Sequence, residues 1–140
     1  MSITEQVLRV HDELYKRSGG RFGHKVLGVP TLLLSSTGRR SGKTRVNSLV
    51  YARDGGDYLL VASNGGADSH PAWLHNLSAD PNVEIQVGRE KMKGVARVVR
   101  PGDPDYDRLW KIVNDGNSDR YNGYQRKTDR PIPVVVVTPA

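Results

Sequence analysis

Arg39, Arg40, Lys43 and Arg45 crowd into TGRRSGKTR, residues 37 to 45, among two glycines, two threonines and a serine. Residues of these types hold anions. A guanidinium presents a planar fork that matches phosphate or carboxylate, and glycine lets backbone N–H groups approach a ligand closely. Ser41 and Thr44 add hydroxyl donors. The stretch is close to a P-loop, but two tests exclude one. A P-loop has four residues between its first glycine and its Gly-Lys pair, whereas three separate Gly38 from Gly42. A P-loop also runs directly into a helix whose N-terminus holds phosphate. Here VNSLVYAR follows, β-branched and alternating, which reads as a strand. Two readings remain: a solvated hairpin tip kept basic to hold sheet edges apart, or a clamp for an anionic ligand.

Other residues with chemical potential lie further along. Trp73 suits a core position or the wall of a ligand slot, and Asn76 suits a turn brace or a ligand contact. His70 and His75 are five apart, the wrong spacing for two ligands on one helical face, and no carboxylate cluster joins them, so no metal is expected. Tyr121 and Tyr124, three apart in the polar segment SDRYNGYQRK, read on their own as surface tyrosines.

These residues need elements to position them. Ile3, Val7, Val10 and Leu14 repeat at helical spacing, which predicts an amphipathic helix over residues 3–17 within an N-terminal segment 1–20. Residues 21–140 then form one domain. Strands are expected over TLLLSS (31–36), after Pro30, and over VNSLVYAR (46–53) and YLLVAS (58–63), with DGGD (54–57) as a turn. The near-continuous apolar run of YLLVAS implies that both its faces are covered. AWLHNLSA (72–79) reads as a short helix, with Asp68 or Ser69 able to cap it and Pro71 suited to its first turn. NVEIQVG (82–88) and MKGVARVVR (92–100) form a hairpin around Arg89, Glu90 and Lys91. A helix follows within residues 101–115, then a short helix or ordered loop over 118–127, and IPVVVVT (132–138) closes the chain as a buried strand. The fold is therefore mainly β (α+β). About six mostly antiparallel strands with flanking helices suggest a small barrel, closed to protect its edges.

Composition narrows the partners. The chain has 140 residues, which fits a single domain, and no cysteine, so neither a disulfide nor a thiolate metal site is available. The N-terminus lacks the apolar core of a signal peptide and the longest wholly apolar runs are about four residues, so a soluble, cytoplasmic protein is expected. The net charge of +6 is concentrated: residues 37–53 hold five basic and no acidic residues, whereas residues 101–140 hold six of each. With Tyr51 as the single aromatic in the basic segment, a nucleic-acid partner is not expected. The N-terminal helix mixes both signs of charge on its polar face, so only weak peripheral membrane contact follows.

TGRRSGKTRVNSLVY, RDGG, VASNGGADSHPAWLHNLSADPNVEIQV and TDRPIPVVVV, in this order over roughly residues 30–140, together resemble the deazaflavin-dependent nitroreductase family of actinobacteria. These are coenzyme F420-dependent reductases of the split β-barrel superfamily. The resemblance implies a split β-barrel and F420 as cofactor, its lactyl-phosphate and polyglutamate tail running along the basic loop. Arg39, Arg40, Ser41 and Arg45 would meet the tail. Val46, Asn47, Ser48, Leu49 and Val50 would run along the cofactor, Val61, Ala62, Ser63 and Asn64 would line the ring, and Ala72, Trp73, Leu74, His75 and Asn76 would close the other side. Ser63, Tyr121 and Tyr124 would serve the substrate, with Tyr121 also touching the cofactor.

The implied reaction is hydride transfer from C5 of the reduced deazaflavin to a small electron-poor acceptor. Candidate acceptors are activated enones and lactones such as coumarins, furanocoumarins and aflatoxins, as well as quinones and nitroaromatics. The protein would bind, orient and stabilise developing charge. A hydrogen bond from Ser63 or Tyr121 to the developing anion contributes about 3 kcal/mol when well placed, and Tyr121, Tyr124 or water would deliver the proton. Ser48 stands where proline is common in the family, Asn64 where lysine is common, and Ser118 where a third tyrosine can occur. These departures point to enones rather than nitroimidazoles as the better acceptors. Two alternatives share the fold: an oxidoreductase using flavin mononucleotide, and a non-catalytic F420-binding protein.

Overall fold

The computed structural model describes residues 25–26 and 29–140. The helix expected over residues 3–17 lies outside the described residues. A two-residue strand β1 (Lys25–Val26) pairs with the start of β2 (Val29–Thr37). β3 (Thr44–Val50) and β4 (Ala52–Asp54) are consecutive, and β5 (Asp57–Val61) folds back on β4. After a 3-10 turn at Asn64–Gly66 come α1 (Ala72–Ala79), β6 (Asn82–Val87), β7 (Glu90–Val99), α2 (Tyr106–Asp115), α3 (Arg120–Gln125) and β8 (Val134–Pro139).

Among the described residues all the strand pairings are antiparallel. The sheet runs β2–β6–β7–β8–β5–β4, and β3 pairs with β2 from Thr31↔Val50 to Thr37↔Thr44. The segment expected as one strand over 46–53 is broken at Tyr51. Its first half joins β2 and its second half joins β5, so the sheet curls back on itself as a split β-barrel. The Tyr51 amide donates to the Pro30 carbonyl at 3.2 Å where the strand changes partner.

Alternation builds two apolar layers. Leu32, Leu34, Leu60, Val83, Ile85, Val135 and Val137 point into the barrel, where Trp73, Leu74 and Leu77 of α1 pack among them. Leu59, Val61, Val134 and Val136 point outward against Tyr106, Leu109 and Val113 of α2 and Tyr121 of α3. β5 and β8 are thus covered on both faces, which explains the unbroken apolar runs in their sequences. Each fully buried leucine or valine contributes roughly 1.5–3 kcal/mol relative to exposure.

Two local expectations are corrected. The β6–β7 turn consists of Gly88 and Arg89, not residues 89–91, because Val87 pairs with Glu90 and Gly88 takes φ +60. Glu90 and Lys91 therefore open β7. Neither Asp68 nor Ser69 caps α1: Pro71 occupies that position, and no side chain satisfies the first amides of the helix. The Asp68 carboxylate instead accepts a bond from the Thr128 hydroxyl at 2.6 Å, across the fold.

Candidate active site

The hairpin joining β2 to β3 is a shaped loop. Gly38 N–H donates to the Lys43 carbonyl at 2.8 Å, Gly42 N–H to the Gly38 carbonyl at 2.8 Å, and Lys43 N–H to Ser41 Oγ at 3.1 Å. Gly42 sits at φ +69, a left-handed conformation that a side chain would strain. The loop is also tied to the barrel: Arg39 N–H donates to Oδ1 of Asn76 at 3.1 Å. Asn76 is buried on α1, so the residue that reads from sequence as a turn brace or ligand contact joins the basic loop to the helix.

Between loop and helix lies an open groove of about 1000 Å³, lined by both sequence motifs. Arg39, Arg40, Ser41, Arg45, Val46 and Asn47 form one wall, and Asn64, Ala72, Trp73 and Asn76 belong to the other. No carboxylate lines it among the described residues. Nor does any described carboxylate pair with Arg39, Arg40, Lys43 or Arg45; the ion pairs present engage Arg97, Arg108 and Lys111. The uncapped N-terminus of α1 faces the same space, because Pro71, Ala72 and Trp73 line it. Open helix amides and their partial positive charge add to the field of the guanidiniums. Among the described residues no group of three or more His, Asp or Glu residues can hold a metal.

The remaining sequence candidates lie off this lining. Val61, Ala62 and Leu74 are buried in the two cores, and Ser48, Leu49 and Val50 are half-buried on β3. His75 is exposed on α1, with its ring 5.8 Å from that of His70. Ser63 is buried at the start of the 3-10 turn. Tyr121 is buried between α2 and α3 with its hydroxyl bonded to Asn117, and burial pushes its pKa up to about 12. Tyr124, half-buried, meets Tyr121 edge-on at 6.2 Å. α3 reaches the groove indirectly: a Cβ on Gly66, two residues from Asn64, would lie 2.7 Å from the Tyr124 carbonyl.

Sequence reasoning did not single out Arg130 and weighed His70 only as a metal ligand. Arg130 lies in TDRPIP, just before β8, and its guanidinium gathers the loop that leads to α1. It donates to the carbonyls of Ala62 at 3.1 Å, Ser63 at 2.7 Å and Ala67 at 3.0 Å. It also meets Nδ1 of His70 at 2.8 Å, and His70 lines the groove. The position of Arg130 immediately before an apolar strand carries no periodic signal, so composition alone passes over it.

A groove with this donor set suits a large, multiply anionic ligand. Residues 7–139 match the family model described as F420H(2)-dependent quinone reductase. The chain belongs to the F420H2-dependent quinone reductase family. It is 53% identical over 134 residues to an F420H(2)-dependent quinone reductase of Mycobacterium tuberculosis, covering 95% of this chain and 90% of that protein. A solved structure described as an F420-H2 dependent reductase superposes with a TM-score of 0.68 at 37% identity, covering 77% of this chain and 93% of the other. Another, described as a domain-swapped dimer, gives a TM-score of 0.70 at 36% identity over 97% of this chain and 99% of the other. Among the described residues no helix is long and apolar enough to cross a membrane.

Proposed function

We propose that this chain is a reductase that binds reduced coenzyme F420 in the groove and passes a hydride to quinones, with activated enones and lactones as further acceptors. The observation that carries this reading is the groove itself: three guanidiniums and an uncapped helix N-terminus, with no lining carboxylate among the described residues. When bound, the reduced deazaflavin supplies the hydride. Arg39, Arg40, Ser41 and Arg45 hold the phosphate and carboxylates of its tail by charge-assisted bonds. The loop is pre-shaped by its own amide bonds and by Asn76, which lowers the ordering cost of binding. Val46 and Asn47 flank the ring on one side, and Asn64, Ala72 and Trp73 close the opposite wall.

Ser63 and Tyr124 serve the acceptor side, stabilising the oxygen on which charge develops. Tyr121 stands behind Tyr124 and holds it through the edge-on ring contact. With its pKa pushed up to about 12, the Tyr121 hydroxyl keeps its proton at neutral pH. Because Tyr121 is buried, Tyr124 or water is the proton donor in this reading.

Turnover of a short-chain quinone, a coumarin and a bicyclic nitroimidazole by the protein with reduced F420 tests the proposal. Quinone reduction is expected to be fast, enone reduction measurable and nitroimidazole reduction the slowest. Tight binding of flavin mononucleotide with none of F420 would overturn it in favour of a flavin enzyme. F420 binding without oxidation by any acceptor would make the protein a carrier instead.

A further inference from the structure

His70 is held unlike the other groove residues. Its Nδ1 sits 2.8 Å from an Arg130 Nη1 atom, and a guanidinium only donates. Nδ1 is therefore the acceptor, and the neutral ring carries its proton on Nε2. Arg130 has little freedom to move away, because Nε, Nη1 and Nη2 are each also fixed on a backbone carbonyl of the loop 62–67. The surroundings keep the ring neutral: partial burial first, then the charge of Arg130, with smaller contributions from His75 and Arg100, all lower its pKa. Among the described residues Nε2 has no protein partner, and the side chain lines the groove beside Pro71 and Ala72 at the uncapped start of α1.

We infer that Arg130 locks His70 in the Nε2–H tautomer, so that His70 donates a hydrogen bond from Nε2 to an oxygen of the cofactor bound in the groove. The inference rests on the proposed F420 reading for the identity of the ligand, but its tautomer component does not. His70 is a binding residue here and Arg130 a positioning residue that acts through it. A neutral N–H beside open helix amides suits a carbonyl or a delocalised anion. It adds a directed donor without the desolvation cost of another full charge.

Nitrogen-15 NMR of the histidine rings, combined with fluorescence titration by F420, tests this. In the cofactor-free wild type, Nδ1 of His70 is expected to show the pyridine-like resonance, with Nε2 protonated, and Nε2 is expected to shift on adding F420. His70→Phe is expected to weaken F420 binding roughly five- to tenfold, the worth of one good hydrogen bond. His70→Gln, whose amide nitrogen reaches the place of Nε2, is expected to restore most of it. Arg130→Met, which removes the donor to Nδ1, is expected to raise the share of the Nδ1–H tautomer of His70, a change that mere loosening of the loop would not produce in a ring already free to choose. Thermal melts confirm that each variant is folded before titration. A protonated Nδ1 in the wild type would overturn the inference. So would wild-type F420 binding that His70→Phe leaves unchanged, with the F420 reading still standing. Failure of the wild type to bind F420 would remove that reading and the ligand half of this inference together.

Discussion

Gly66 offers the sharpest test of how the helical layer is fastened to the groove. It sits at φ +85, and a Cβ there would lie 2.7 Å from the Tyr124 carbonyl and 3.2 Å from Cβ of Lys127. Two costs add for Gly66→Ala. The left-handed backbone costs about 1–2 kcal/mol for an L-residue. The overlap with a backbone oxygen, which cannot swing aside as a side-chain tip can, costs about 1–3 kcal/mol. The expected loss is about 2–5 kcal/mol. Gly65 supplies the control, because it has φ +65 but nothing within 4 Å of its Cβ position. Gly65→Ala therefore carries only the backbone part, about 1–2 kcal/mol. Urea unfolding followed by the fluorescence of Trp73 and Trp110 measures both variants on one scale. Because Asn64 lines the groove at the other end of the same turn, Gly66→Ala is also expected to weaken F420 binding more than Gly65→Ala does. Equal stability losses in the two variants would refute the close packing of α3 on this turn.

Removing both Arg39 and Arg45 as alanines is expected to weaken F420 binding by at least tenfold and to flatten its salt dependence; unchanged affinity in a titration would remove the tail-clamp role. Asn76→Ala deletes the acceptor of the Arg39 amide and is expected to cost about 1 kcal/mol in denaturant unfolding, and a neutral result would mean that the tie between loop and helix is idle. Among the described residues Ser36 Oγ is buried with no hydrogen-bond partner, so Ser36→Ala is expected to be neutral or slightly stabilising; a drop of several degrees in melting temperature would contradict that. Tyr106 and Tyr121 are both held neutral, their pKa values raised from 10 to about 12 chiefly by burial. Folded values above the unfolded ones mean that this stabilisation is complete below pH 10 and is lost as pH rises from 10 to about 12. Tyr106→Phe and Tyr121→Phe should each flatten the alkaline fall in melting temperature, and an unaltered fall in both would count against the burial account.

The β elements were legible where burial writes a simple period. Val83 and Ile85 alternate because β6 has one face in the barrel, and Leu59 to Val61 do not alternate because β5 has two covered faces. α1 was legible to its ends, since Pro71 precedes it and Asp80-Pro81 follows it. What escaped were features that depend on contact across the chain. The break at Tyr51 is set by a change of strand partner, which VNSLVYAR does not encode locally. Asp68 looked like a cap but is drawn to Thr128, sixty residues away in sequence. The basic loop and the Trp73 helix were found separately by composition and motif, and only Asn76 shows how they are joined. Arg130 left no local trace, because its work is done on carbonyls of a distant loop.

The position of β8 has a consequence for how the protein is made. This strand lies between β5 and β7, yet it follows both in the chain. During synthesis β5 and β7 emerge with adjacent edges unpaired, and Leu59 and Val61 wait for Val134 and Val136 to share their outer layer. Arg130, which gathers the groove loop, emerges at nearly the same time. A nascent chain halted before residue 134 would therefore present two open strand edges and an ungathered groove, the kind of species on which chaperones act. The β8 pairings that close the sheet between β5 and β7, and the Arg130 contacts that gather the groove loop, both come from the last eleven residues of the chain.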